Sequence, residues 1–124
     1  MENLNRTRAK DSLAINFDAT TGMLSMEGAS YPENPLDFFD PLYAWVEQYC
    51  AEHGQTLTLN AKINYLNTSS AKCLLDFFGR LEDFHAAGGG VKVNWYYEED
   101  DEDMQETGLE LCEDLRLPYE LIAY

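Results

Sequence analysis

The chain has 124 residues, 45 % of them hydrophobic, with two Trp, eight Tyr and six Phe, enough for one domain whose core needs no disulfide staples. Eight Lys and Arg against 23 Asp and Glu leave a formal net charge of −15, which argues against nucleic acid and anionic membranes, since both demand basic surface, and favours solubility and protein partners. No apolar run approaches the ~20 residues that span a bilayer, and no apolar segment follows Arg6, Arg8 and Lys10 as a signal peptide requires, so a cytoplasmic location is expected.

Residues 1–11 read as a polar, partly disordered tail. Leu13, Ile15 and Phe17 then alternate with Ala14 and Asn16, the spacing of a strand. Asp18 to Gly22 makes a turn and 23–28 a second strand, a hairpin closed by a loop of about five residues. Residues 30–35 form a loop punctuated by Pro32 and Pro35. Over 35–53, Phe38, Phe39, Leu42, Trp45, Val46, Tyr49 and Cys50 recur at three and four, which predicts a helix with one broad apolar face. Pro41 has no N–H to give a helix interior, so the helix is expected to start late or kink there. His53 stands at its end and Gly54 is the stop.

Alternation is clearest in the third strand, where Leu57, Leu59, Ala61, Ile63 and Tyr65 point one way and Thr58, Asn60, Lys62 and Asn64 the other. A second long helix over 68–87 carries Leu74, Phe77, Phe78, Leu81, Phe84 and His85 on its apolar side and ends at Gly88-Gly89-Gly90. Val91, Val93, Trp95 and Tyr97 alternate as a fourth strand, the acidic run 98–103 follows, a shorter helix covers 104–115, and 118–123 closes as a fifth strand. Strands separated by helices imply parallel crossovers. The polar side of the third strand implies helices gathered on one sheet face.

Chemistry finds few footholds. The chain has two histidines, no Ser-His-Asp logic and no nucleotide fingerprint. Gly88 to Gly90 follow a helix and precede a strand, the reverse of a phosphate cradle. Cys50, Cys73 and Cys112 are far apart, odd in number and set in apolar helical patterns, so buried thiols are expected rather than a disulfide or zinc site. The run Glu98-Glu99-Asp100-Asp101-Glu102-Asp103 fails the EF-hand template, which puts Glu106 at the glycine position and Cys112 at the closing glutamate. It reads as a solvated loop that places negative charge at the start of the third helix. Neither a metal nor a cofactor is expected, and no catalytic residue stands out.

One constellation remains, Tyr65-Leu66-Asn67-Thr68-Ser69-Ser70. Asn, Thr and Ser are the preferred helix N-caps, yet one suffices and four stand in a row. The excess is compatible with a modifiable site as well as with capping.

These residues, together with Ser30-Tyr31-Pro32-Glu33-Asn34 before the first long helix, resemble the SiaC family of bacterial regulatory phosphoproteins. The likeness covers nearly the whole chain, including the Trp95-Tyr96 strand. It implies an α/β, single-domain STAS-like fold, a five-stranded mixed sheet with helices mainly on one face, over 12–124 behind the tail 1–11. It also implies a partner-switching adaptor that is not an enzyme and is a monomer when free. A Ser/Thr protein kinase of the ATPase fold would phosphorylate Thr68, a PP2C-type phosphatase would restore the hydroxyl, and the unphosphorylated form would bind and activate a diguanylate cyclase. On this reading Tyr65, Leu66, Asn67, Ser69 and Ser70 shape the surface that partners read, with Tyr31, Pro32, Glu33 and Asn34 beside it. The acidic run is longer than the family pattern leads one to expect, which points to a partner surface with more basic character. Two alternatives stay open: an anti-anti-sigma factor binding an anti-sigma kinase, and a small enzyme or ligand-binding domain that holds a cation on the acidic loop.

Overall fold

The computed structural model describes residues 1–52 and 55–124; the helix end expected at His53 and the stop at Gly54 lie outside the described residues. The elements are β1 (Leu4–Arg6), β2 (Ala14–Phe17), β3 (Met23–Ser30), α1 (Pro35–Glu52), β4 (Thr56–Leu66), α2 (Thr68–Ala86), β5 (Gly90–Tyr97), α3 (Glu102–Cys112) and β6 (Tyr119–Ala123). They build one sheet in the order β1-β2-β3-β4-β5-β6. The first three strands pair antiparallel and the last four parallel.

The sequential order has a geometric consequence. Each of the crossovers through α1, α2 and α3 moves one place in the same direction across the sheet. Such crossovers are right-handed in nearly every case, so three steps in one direction set all three helices on one face. Burial agrees: Leu24, Met26, Leu57, Leu59, Ala61, Ile63, Val91, Val93 and Trp95 are sealed beneath them. Phe17 bridges the sheet to both long helices, with ring centroids 5.2 Å from Trp45 and 5.8 Å from Phe77. Trp95 Nε1 donates to the Met104 carbonyl of α3 at 3.0 Å. The opposite sheet face is polar, with Asn94 donating to Asn60 at 3.0 Å, Lys92 paired to Glu120 at 3.0 Å, and Lys62 Nζ 4.3 Å from the centroid of the Tyr124 ring.

Four expectations are corrected. The sheet has six strands rather than five: the extra one, β1, lies inside the stretch read as a tail. Three residues are too few to show a period, and β1 is held instead by tertiary partners. Leu4 packs against the core, the Trp45 indole donates to the Glu2 carbonyl at 2.9 Å, and Asn3 Oδ1 accepts from the Ala19 amide at 2.8 Å. Second, α1 starts at Pro35 and runs through Pro41. Proline suits a first helical position, and the carbonyl that Pro41 leaves unbonded belongs to Asp37, an exposed residue that water can serve. Third, Ser30 ends β3 rather than opening a loop. Fourth, β4 changes phase before its end. The β3–β4 register shifts at Gly28/Ala29, so that Ile63 pairs with Gly28 but Tyr65 with Ala29 and Leu66 with Ser30. Asn64 is the extra residue of a β-bulge. Tyr65 thereby leaves the helix-covered side on which strict alternation places it, and Leu66 takes the inward position, packed against the core.

Candidate functional site

Strands β3 and β4 are parallel neighbours. Their carboxyl ends therefore finish side by side, and the turns leading to α1 and α2 meet at one end of the sheet. This is what brings together two motifs more than thirty residues apart. Hydrogen bonds tie the junction together. The Asn67 amide donates to the Ser30 carbonyl at 3.1 Å, and the Ser30 hydroxyl donates to Ser70 Oγ at 2.8 Å. Ser30 and Ser70 are both 0 % exposed. One residue further, the Tyr31 amide donates to the Asp11 carbonyl at 2.9 Å, tying in the segment before β2.

Asn67 is the N-cap of α2, extended at φ −78°, ψ 171°. Its side-chain oxygen accepts from the Ser70 amide at 2.8 Å and its carbonyl from the Ala71 amide at 2.9 Å. Thr68 and Ser69 are the first two helical residues, and both are exposed. The amides of these positions have no partner within a helix. The first turn of α2 carries no acidic side chain, whereas those of α1 and α3 carry Asp37 and the pair Glu102 and Asp103. In a chain of such negative charge, the positive end of the α2 dipole is left without a carboxylate of its own turn.

The remaining sequence-marked residues divide by position. Tyr31 and Tyr65 are 39 % and 50 % exposed and meet edge to face, ring centroids 5.9 Å apart. Leu36, which the motif reading passed over, is also exposed. Leu66 and Pro32 are half-buried and Glu33 is exposed. Asn34 is exposed and donates to Asp37 Oδ2 at 2.9 Å, so its amide serves the first turn of α1. Ser70 is sealed and acts from inside the fold. Ser30 was absent from the expected site, although the phase Leu24, Met26, Gly28, Ser30 would have turned it inward. Asp11 left no signal, because its contribution is a backbone carbonyl.

Elsewhere, two thiols and two tyrosines are shifted toward their neutral forms. Burial pushes the Cys50 and Cys112 thiols up to about 11. Burial also raises Tyr43 and Tyr49, whose hydroxyls donate to the Cys73 carbonyl at 2.7 Å and the Thr56 carbonyl at 3.0 Å. His85 Nδ1 lies 3.1 Å from the Gly89 carbonyl oxygen. In the acidic run, Asp101 is the N-cap of α3 and accepts from the Met104 amide at 3.1 Å, while the Glu99 amide donates to the Tyr124 carbonyl at 2.8 Å. Among the described residues no helix is long and apolar enough to cross a membrane.

The family model for SiaC family regulatory phosphoproteins matches residues 6–124. The chain belongs to this family. A protein of Pseudomonas aeruginosa (strain UCBPP-PA14) is 36 % identical over 124 residues, which is 100 % of this chain and 98 % of that one. The crystal structure of apo-SiaC from Pseudomonas aeruginosa superposes with a TM-score of 0.93 at 36 % identity, covering 99 % of this chain and 100 % of that one. SiaC of the same organism, solved in complex with the diguanylate cyclase SiaD and described as its activator, gives a TM-score of 0.94 at 36 % identity, covering 98 % of this chain and 99 % of that one. The SiaC fold and the mixed sheet with three helices are thus shared by this chain.

Proposed function

We propose that this member of the SiaC family is a cytoplasmic, phosphorylation-switched adaptor. Unphosphorylated, it binds and activates a diguanylate cyclase, raising cyclic di-GMP and promoting aggregation or biofilm formation. A Ser/Thr kinase of the ATPase fold phosphorylates Thr68 and releases the cyclase, and a PP2C-type phosphatase reverses the change. The observation that carries this reading is Thr68, exposed at the first position of a helix whose first turn has no acid. The description of the Pseudomonas aeruginosa relative as the activator of a cyclase supports the choice of partner.

The energetics favour a switch in binding over a switch in fold. A phosphoryl group brings nearly two negative charges and three acceptor oxygens to amides that lack helical partners, and the helix dipole favours it by about 0.3–1 kcal/mol. Burying the same charge unpaired in an interface costs about 2–5 kcal/mol, a loss of roughly 30-fold to several thousandfold in affinity. Ser70 is not a rival acceptor, being fully buried. Ser69 is exposed and is the control residue.

The test is to incubate the chain with its kinase and ATP and map the phosphate by mass spectrometry, then to titrate Thr68→Ala and Thr68→Asp with the cyclase. Phosphate is expected on Thr68. Both variants should fold, and only the alanine form should keep cyclase binding. Phosphate confined to Ser69, or equal binding by the two variants, removes the mechanism. Capture of an anti-sigma protein with no cyclase would instead identify an anti-anti-sigma factor.

A further inference from the structure

The switch described above needs a docking surface, and the bulge in β4 supplies one that neither motif has alone. In regular alternation Tyr65 would follow Ile63 under the helices. The register shift pairs it with Ala29 instead, on the side of β3 that also carries exposed Glu27 and Met23. There Tyr65 meets Tyr31, and the two rings are 50 % and 39 % exposed. Bulges are devices that re-aim a side chain, and paired tyrosines offer large, stiff contact area at low entropic cost. We propose that Tyr31 and Tyr65 are the anchor on which the cyclase docks, and that they seat on an apolar partner surface free of Lys and Arg beside Thr68.

This inference rests on the adaptor reading and adds the anchor and the chemistry of the surface that meets it. Tyr65 and Thr68 are three residues apart, a chain span of at most ~11 Å, comparable with the Debye length of ~8 Å at physiological salt. A phosphate on Thr68 is therefore attached close to Tyr65 in the chain, where β4 leads into α2. Its sign then constrains the partner. Lys or Arg opposite Thr68 would pair with a phosphate and tighten the complex, the reverse of release. A second copy of this chain is a poor occupant, because an isologous contact uses the same patch on both molecules and would bring two chains of net charge −15 together, with exposed Glu33, Asp37 and Asp40 near it in the chain on each.

Titration of a cyclase with full-length wild type, Tyr31→Ser, Tyr65→Ser, Tyr65→Phe and Thr68→Asp, each checked by circular dichroism, tests both parts. Each serine variant should weaken binding at least tenfold, the usual scale for an aromatic hot spot, and Tyr65→Phe should stay within about threefold of wild type, the ring rather than the hydroxyl being the anchor. The ratio of wild-type to Thr68→Asp affinity should persist in 1 M salt, where the Debye length is ~3 Å, because desolvation beside an apolar surface is not screened. Serine variants that bind like wild type, while Thr68→Asp still releases, overturn the anchor and leave the adaptor reading standing. A ratio that collapses in 1 M salt overturns the apolar surface in favour of a charged one. If wild type itself binds no cyclase, both readings fall.

Discussion

The pair Ser30 and Ser70 shows how a small polar contact can hold a regulatory surface in place. A hydroxyl sealed from water keeps its full desolvation cost unless bonded, and each of these two serines is the other's partner at 2.8 Å. Replacing one by alanine strands the other, at a cost of about 1–3 kcal/mol. Removing both leaves no orphan hydroxyl, so the double variant should lose less than the two single losses combined. Urea unfolding of Ser30→Ala, Ser70→Ala and the double variant measures this coupling directly, and additive losses would show that the bond contributes nothing of its own. Asn67 works alongside them: it bonds the Ser70 amide, and its own amide bonds the Ser30 carbonyl. Of the four small polar residues before Ala71, one caps, one is buried and two face solvent, a division that composition does not reveal.

At the scale of elements, two helical glycines have opposite meanings. Gly79 lies in the middle of α2, and a Cβ built there meets nothing within 4 Å. Gly79→Ala should stabilise the fold by about 0.5–1 kcal/mol through helix propensity. Gly108 in α3 is the converse, since a Cβ there would fall within the atoms of the Trp95 indole. Gly108→Ala must push the ring or the helix away and should cost about 1–3 kcal/mol. Thermal unfolding of the two variants should move the melting temperature in opposite directions, and a shift of the same sign would contradict the packing of α3 on Trp95. The long helices were legible because an apolar stripe at three and four is redundant over eighteen or nineteen residues. Pro41 does not delay the helix start: its missing bond falls within the first turns of α1, on the carbonyl of exposed Asp37.

For the whole molecule, one consequence of burial is pH dependence. Cys50 and Cys112 have thiol pKa values raised by burial from the ordinary 9.0 to about 11. Below the unfolded value both states hold their protons, and the stability linked to these thiols is fully present. As pH climbs from about 9 toward 11, unfolded thiols ionise while folded ones resist, so stability falls across that window. Tyr43 and Tyr49, also raised by burial, add to the loss above pH 10. Unfolding free energy measured from pH 7 to 11 should be flat to about 9 and then decline, whereas a flat profile throughout would mean these side chains are open to solvent. The acidic carboxylates are mostly exposed, and their charge shapes partners more than it shapes the fold.

The amino-acid sequence by itself determined the element types, the apolar faces, the family and the helix start at Thr68, because these depend on local periodicity and on contiguous motifs. It left β1 hidden, since three residues carry no period, and it set Tyr65 on the wrong face. Only the tertiary structure decided that residue, because a bulge in β4 is created by register against β3 and has no signature within β4 itself. The meeting of Tyr31 with Tyr65, and of Ser30 with Ser70, likewise depends on two parallel strands ending together. That is a property of strand order and cannot be read from either motif alone.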